Sequence, residues 1–294
     1  AQLSQYQEEE LFRVFSAMKR VGGRPTVQYL LGFAANKEAA EKKRQAALAA
    51  LEGKIDKNSA ADLEQLLAIV SGDAPDVVLD QGFRRIGELP REQVSDKLFG
   101  LFKTDKWKVR RAAAATLLRI SKASHIDEFM SKLPAKSGKG FAMPEALSYG
   151  ALFGDLKEGK PKEALQKHMK EGSAAVRTSA LSYYFTYGTP ADLADLKVFE
   201  DEKSDAPVCE SDPECKWSCE VAKESDPKQR ELKDIKTIGE FVRYCIEPAV
   251  KERQPETKAP GAKQEGTKET QTKDLKPKEA GAQPGPTPEP EKKP

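Results

Sequence analysis

The sequence contains no run of about 18 apolar residues, so no segment reads as a membrane-spanning helix. Histidine occurs only twice, as His125 at the start of a helical segment and His168 inside another. Both read as surface side chains, outside any Cys, Ser or carboxylate motif that would make them catalytic. A strong charge of one sign is missing too. The net charge of +2 gives no global reason for attraction to nucleic acid or membrane. No phosphate-cradling G-x-x-x-x-G-K-[ST] loop, dinucleotide G-x-G-x-x-G turn, H-E-x-x-H helix or G-x-S-x-G elbow occurs. Sustained alternation of β-branched residues is absent, which argues against a sheet. Residues 251–294 lack large apolar side chains apart from Leu275. Such a segment cannot offset its ordering entropy by burial and reads as a disordered tail. Its end, "PGPTPEPEKKP", favours extended conformers.

What the chain does have is a recurring helix. "RQAALAAL" (44–51), "RRAAAATLL" (110–118) and "RTSALSYY" (177–184) each begin with Arg and run into small and apolar residues. The first two intervals are 66 and 67 residues, about twice 33. Intermediate slots hold "VVLDQGFRRIGEL" (77–89) and "PEALSYGALFGDL" (144–156). Between these lie partner helices at 61–70, 92–102, 125–133 and 163–170, with apolar residues at helical spacing. In 61–70, Leu63, Leu66, Leu67 and Val70 share a face. Asp62, Ser124 and Asp127 are candidate helix starts, and Pro90, Pro134, Pro144, Pro161 and Pro190 fall at boundaries.

Two helices per unit of about 33 residues predict an all-α α-solenoid of stacked antiparallel helix pairs. The turns "TDKWKVRRAAAATLL" (104–118) and "EGSAAVRTSALSYY" (171–184) resemble those of HEAT repeats. That resemblance covers about residues 37–200. It implies a ladder of turn Asp and Arg between neighbours, to which Asp105, Arg110 and Arg177 would belong. The slot near 145 lacks the Arg, and the Gly-rich stretch 135–144 interrupts the register. Armadillo-like or tetratricopeptide-like stacking are alternatives, although the tetratricopeptide pattern is absent. The expected organisation is capping helices over 1–36, repeats over 37–200, a Cys-containing module over 201–250 and the tail over 251–294.

All four cysteines, Cys209, Cys215, Cys219 and Cys245, lie in that third segment. Their spacing fits neither the paired thiolates of a zinc site nor a Cys-x-x-Cys redox motif. An even count in a short, acidic segment reads as disulfides, with three connectivities open. A helix over 237–250 would be pinned by Cys245 to the 209–219 loop, with Trp217, Phe241 and Tyr244 forming a satellite core. The chain begins with Ala rather than Met, and "AQLSQ" suits a mature terminus left by signal-peptide cleavage. Together these point to a secreted, periplasmic or cell-envelope location. The module is similar to a Cys-containing extension of secreted bacterial HEAT-repeat proteins.

Charge is uneven along the chain. Residues 97–140 hold eleven Lys or Arg against three acids, and residues 191–226 hold twelve acids against four Lys. The basic band suggests a binding surface of Lys103, Lys106, Trp107, Lys108, Arg110 and Arg111 for an anionic partner, with Trp107 a contact anchor. Alternatively the acidic module folds onto it. Asp73, Asp76 and Asp80 lack the glycine and glutamate of a calcium loop. The expectation is a non-enzymatic protein–protein scaffold without cofactor or metal, with nucleic-acid binding through 97–140 as the alternative.

Overall fold

The computed structural model describes residues 8–133, 141–156, 158–206, 217–223 and 229–253, and they are mostly helical. Residues 254–294 of the expected tail, Cys209, Cys215 and most of the Gly-rich stretch 135–144 lie outside the described residues, while 251–253 belong to the folded part. The helices in chain order are α1 (Glu8–Val21), α2 (Arg24–Ala35), α3 (Glu41–Ala50), α4 (Ala60–Ser71), α5 (Asp76–Ile86) and α6 (Arg91–Gly100). They continue with α7 (Trp107–Arg119), α8 (Ile126–Lys132), α9 (Met143–Gly154), α10 (Pro161–Lys170), α11 (Ala174–Tyr187) and α12 (Leu193–Lys197).

The boundaries follow local chemistry. α4 starts at Ser59, whose hydroxyl accepts the Asp62 N–H at 3.3 Å, and Asp62 sits inside the first turn rather than at the cap. Ser173 caps α11 in the same way through the Val176 N–H. Pro144 and Pro161 occupy the first turns of α9 and α10, where a missing N–H costs nothing. Ser124 lies in a short 3₁₀ turn (Ala123–His125), and α8 follows it with Asp127 in its first turn.

The odd-numbered helices pack in sequence. α3 lies against α1 and α5, α7 against α5 and α9, and α9 against α7 and α11. Even-numbered helices cover one side of them, as α4 does for α5, α6 for α7 and α10 for α11. The main buried cluster runs from Leu11 to Val250. At its middle Phe129 meets Phe102, Tyr149 and Phe153 edge-on, with centroids 5.3 to 5.7 Å apart.

The three repeated arginines share a task. Arg44 Nε donates to the Ala34 carbonyl at 2.8 Å, Arg110 Nη1 to Thr104 at 2.5 Å and Arg177 Nε to Met169 at 3.3 Å. Each acceptor lies at or just beyond the end of the preceding even helix, where carbonyls have no intrahelical partner. Arg253 does the same for α11, donating to the carbonyls of Tyr184, Phe185 and Gly188.

The segment after α12 corrects two expectations. First, the fold is not purely helical. β1 (Ser218–Ala222) and β2 (Arg230–Asp234) form an antiparallel pair with Cys219 opposite Lys233. Their charged, half-exposed sequences, "SCEVA" and "RELKD", hide the alternation that would mark a strand. Second, the expected satellite core is part of the main one. α13 (Ile238–Phe241), a π-turn (Val242–Ile246) and α14 (Glu247–Glu252) bury Ile238, Phe241, Val242, Ile246 and Val250 in the common cluster. Phe241 packs on Phe185 of α11, with centroids 6.3 Å apart. The π-turn precedes Pro248, which has no N–H to offer the Tyr244 carbonyl.

α9 meets the backbone of α11 at Gly150. A Cβ there would stand 2.3 Å from the Ser182 backbone carbon and 2.5 Å from its oxygen. Gly150→Ala is expected to destabilise the protein by at least about 1–3 kcal/mol, because backbone cannot yield as a side chain can. Gly100→Ala, where nothing stands within 4 Å, is expected to shift stability by less than about 1 kcal/mol. Urea unfolding of the two variants checks this, and similar losses in both would contradict it.

Candidate binding surface

The turn "TDKWKV" (104–109) lies between α6 and α7 and carries Lys106, Trp107 and Lys108, half of the residues expected to form a binding surface. Lys103 and Lys106 are exposed, while Trp107 and Lys108 are half-buried at the first turn of α7. Trp107 packs on Ala142, and the Arg111 guanidinium lies 5.3 Å from its ring centroid. Lys106 Nζ meets Asp73 at 2.5 Å and Lys108 Nζ meets Asp76 at 3.2 Å. Lys106 also holds the Asp73 carboxyl below the usual carboxylate range. These groups border an open depression of about 650 Å³ between the start of α5 and the start of α7, floored by Leu79 and Val109.

Arg110 does not belong to this surface. It is 4 % exposed and forms a two-pronged pair with Glu145, at 3.1 and 2.7 Å. Glu145 is itself fully buried and accepts the Ala142 N–H at 2.8 Å and the Tyr149 hydroxyl at 3.3 Å. Burial pushes its carboxyl up to about 7, against the pull of Arg110. The slot near 145 thus lacks an Arg because it supplies the partner of the preceding one. Arg110 turns to Glu145 rather than to Asp105. Arg177 likewise bonds Glu202, at 2.6 Å.

Five cations of the basic band, Arg110 among them, are answered by carboxylates from neighbouring units. Besides the two turn lysines, Lys97 pairs with Glu64 at 2.6 Å and Lys122 with Glu158 at 2.6 Å. The first three partners sit 32 or 33 residues back along the chain. That offset was legible in the sequence, since it is the repeat length itself. The acidic module takes other partners. Among the described residues Asp192 pairs with Lys162, Asp201 with Arg243 and Glu202 with Arg177, all outside the band.

Elsewhere, His168 Nε2 lies 2.8 Å from Asp127 Oδ1, and Lys167 Nζ donates to Asp127 Oδ2 at 2.6 Å. His125 Nδ1 accepts the Lys122 N–H. Asp73 and Asp76 are engaged by lysines, and among the described residues no group of three or more His, Cys, Asp or Glu is placed to hold a metal ion. Cys219 and Cys245 form a disulfide with Cα atoms 5.6 Å apart, joining β1 to the π-turn. No helix among the described residues is long and apolar enough to cross a membrane. Comparison with protein-family models, curated proteins and solved structures finds no match.

Two measurements test these electrostatics. Arg110→Met strands a buried carboxylate and is expected to cost about 3–5 kcal/mol, whereas Arg110→Met with Glu145→Met recovers most of it. Chemical unfolding at neutral pH reads both, and an equal loss in the double variant contradicts the assignment. Ser204 and Arg177 hold the Glu202 carboxyl at about 2, below its ordinary 4.5. The folded state therefore favours the ionised form. Its stabilisation is present above pH 4.5 and lost as pH falls towards 2. Glu202→Gln is expected to flatten stability over that window, and an unchanged acid-unfolding curve contradicts this.

Proposed function

We propose that the chain is an α-solenoid scaffold of HEAT-like helix pairs that binds a partner protein outside the cytoplasm, without catalysing a reaction. The observation that carries this reading is the serial packing of α1, α3, α5, α7, α9 and α11, each helix lying against the odd helix before and after it. Such stacking leaves one long ledge of odd-helix side chains in contact with solvent, the surface solenoids use for partners. Ala49 and Ser148 lie on that ledge, beside the recesses between consecutive odd helices. The engaged lysines at 97, 106, 108 and 122 weigh against nucleic acid, whose affinity rests on cations available to phosphates. The Cys219–Cys245 disulfide and the clustering of cysteines support an oxidising compartment.

A photo-crosslinking residue at position 49 or 148 is expected to capture the same discrete protein in cells of the natural source, and one at Gln65 on α4 to capture none. The chain recovered from that source is expected to gain mass on thiol alkylation only after reduction. Free thiols, or salt-sensitive retention on DNA in place of the crosslink, would overturn the reading.

A further inference from the structure

Between α5, α7 and α9 a recess of about 200 Å³ opens on the odd-helix ledge. Its lining includes three arginines, Arg84 from α5 and Arg111 and Arg119 from α7. The floor is made by Ala112, Ala115 and Thr116, small enough to leave a trough where larger side chains would fill it. Ser148 of α9 adds a hydroxyl at one wall and Asp80 a carboxylate at the other.

The arginines differ from the cations nearby. Lysines 97, 106, 108 and 122 each meet a carboxylate. Among the described residues Arg84 and Arg119 form no such pair, and Arg111 is engaged only by the face of Trp107. All three are exposed, although the recess also has Asp80 within it. Guanidiniums that hold no carboxylate keep their N–H groups available for paired bonds to an incoming anion.

The spacing selects the anion. Arg111 and Arg119 are eight residues apart on one helix, a rise of about 12 Å. That exceeds a single phosphate and suits carboxylates placed several residues apart on a peptide. Asp80 would oppose a continuous phosphate backbone, but it can accept an N–H from a peptide. The trough admits side chains rather than stacked bases, and no aromatic face lines it except that of Phe83, which is buried. We propose that this recess is the docking site for an acidic peptide segment of the partner protein, with Arg84, Arg111 and Arg119 pairing its carboxylates and Ser148 contributing a hydrogen bond. The proposal rests on the scaffold reading, to which it adds the chemistry of the partner.

The test uses the full chain and a fluorescein-labelled oligoglutamate, followed by anisotropy at low and physiological salt. A labelled oligolysine and a single-stranded oligonucleotide of matched charge are the comparison probes. Arg84→Gln with Arg119→Gln leaves the Arg111–Trp107 contact in place and is expected to weaken oligoglutamate binding by about tenfold or more. Lys42→Gln with Lys57→Gln removes the same charge elsewhere and is expected to leave binding within about twofold. Urea unfolding of both variants confirms that each is folded, which the exposure of all four side chains leads one to expect. No binding of oligoglutamate, or an equal loss in both variants, overturns the site. Tighter binding of the oligonucleotide, lost with Arg84 and Arg119, overturns it in favour of a phosphate polymer. If the crosslinked partner at positions 49 and 148 persists while oligoglutamate fails, only the recess is refuted. If both fail, the scaffold reading falls with it.

Discussion

Each odd helix from α3 to α9 must fit between two other odd helices while a third element covers its side, and that constraint governs the residues of the whole array. A helix enclosed on three sides cannot carry large side chains all round. α7 answers with Ala113, Ala114 and Ala115 buried in succession, and α3 with Ala47 and Ala50. At the α9–α11 contact the solution is more extreme, with Gly150 against the backbone of Ser182 and Ser179, Ala180 and Ser182 all buried on α11. The buried serines return their hydroxyls to carbonyls four residues back on their own helix, at 2.7 Å, so neither serine hydroxyl is orphaned.

Close stacking also brings helix ends together, and the repeated arginine answers that. A guanidinium at the start of one helix reaches the loose carbonyls at the end of the helix before it, as Arg44, Arg110 and Arg177 do. Its remaining N–H groups then need an acceptor in a nearly dry site. Glu145 supplies one to Arg110 and Glu202 one to Arg177. Arg253 closes the α11 end in the same way. The disulfide from Cys219 to Cys245 fastens the hairpin to the π-turn, whose end residues Val242 and Ile246 are fully buried. The last segment is therefore held to α11 by apolar burial and by a guanidinium, and the disulfide ties its hairpin to its helical part.

Most of the helix order was readable because its signal is periodic. Apolar spacing placed α4, α6, α8 and α10, and the Arg-led segments placed α3, α7 and α11. The hairpin escaped because its strands are short and charged, with Leu232 turned to solvent. Among surface residues, the turn lysines were recognisable as a cluster, but Arg110 was counted as surface although its neighbours Val109 and Ala113 share its buried face. Arg84 was not singled out because the adjacent Arg84 and Arg85 of α5 carry no motif. Only the packing of α5 on α7 brings it to the same recess as Arg111 and Arg119.

If helices are stabilised by the neighbours on either side, stability must grade along the chain rather than be uniform. Native-state hydrogen exchange under increasing denaturant measures this directly. Amides of α7 and α9, enclosed from both directions, are expected to open at the highest free energy, and those of α1 and α2 at the lowest. A single free energy shared by the slow amides of all these helices would contradict the account.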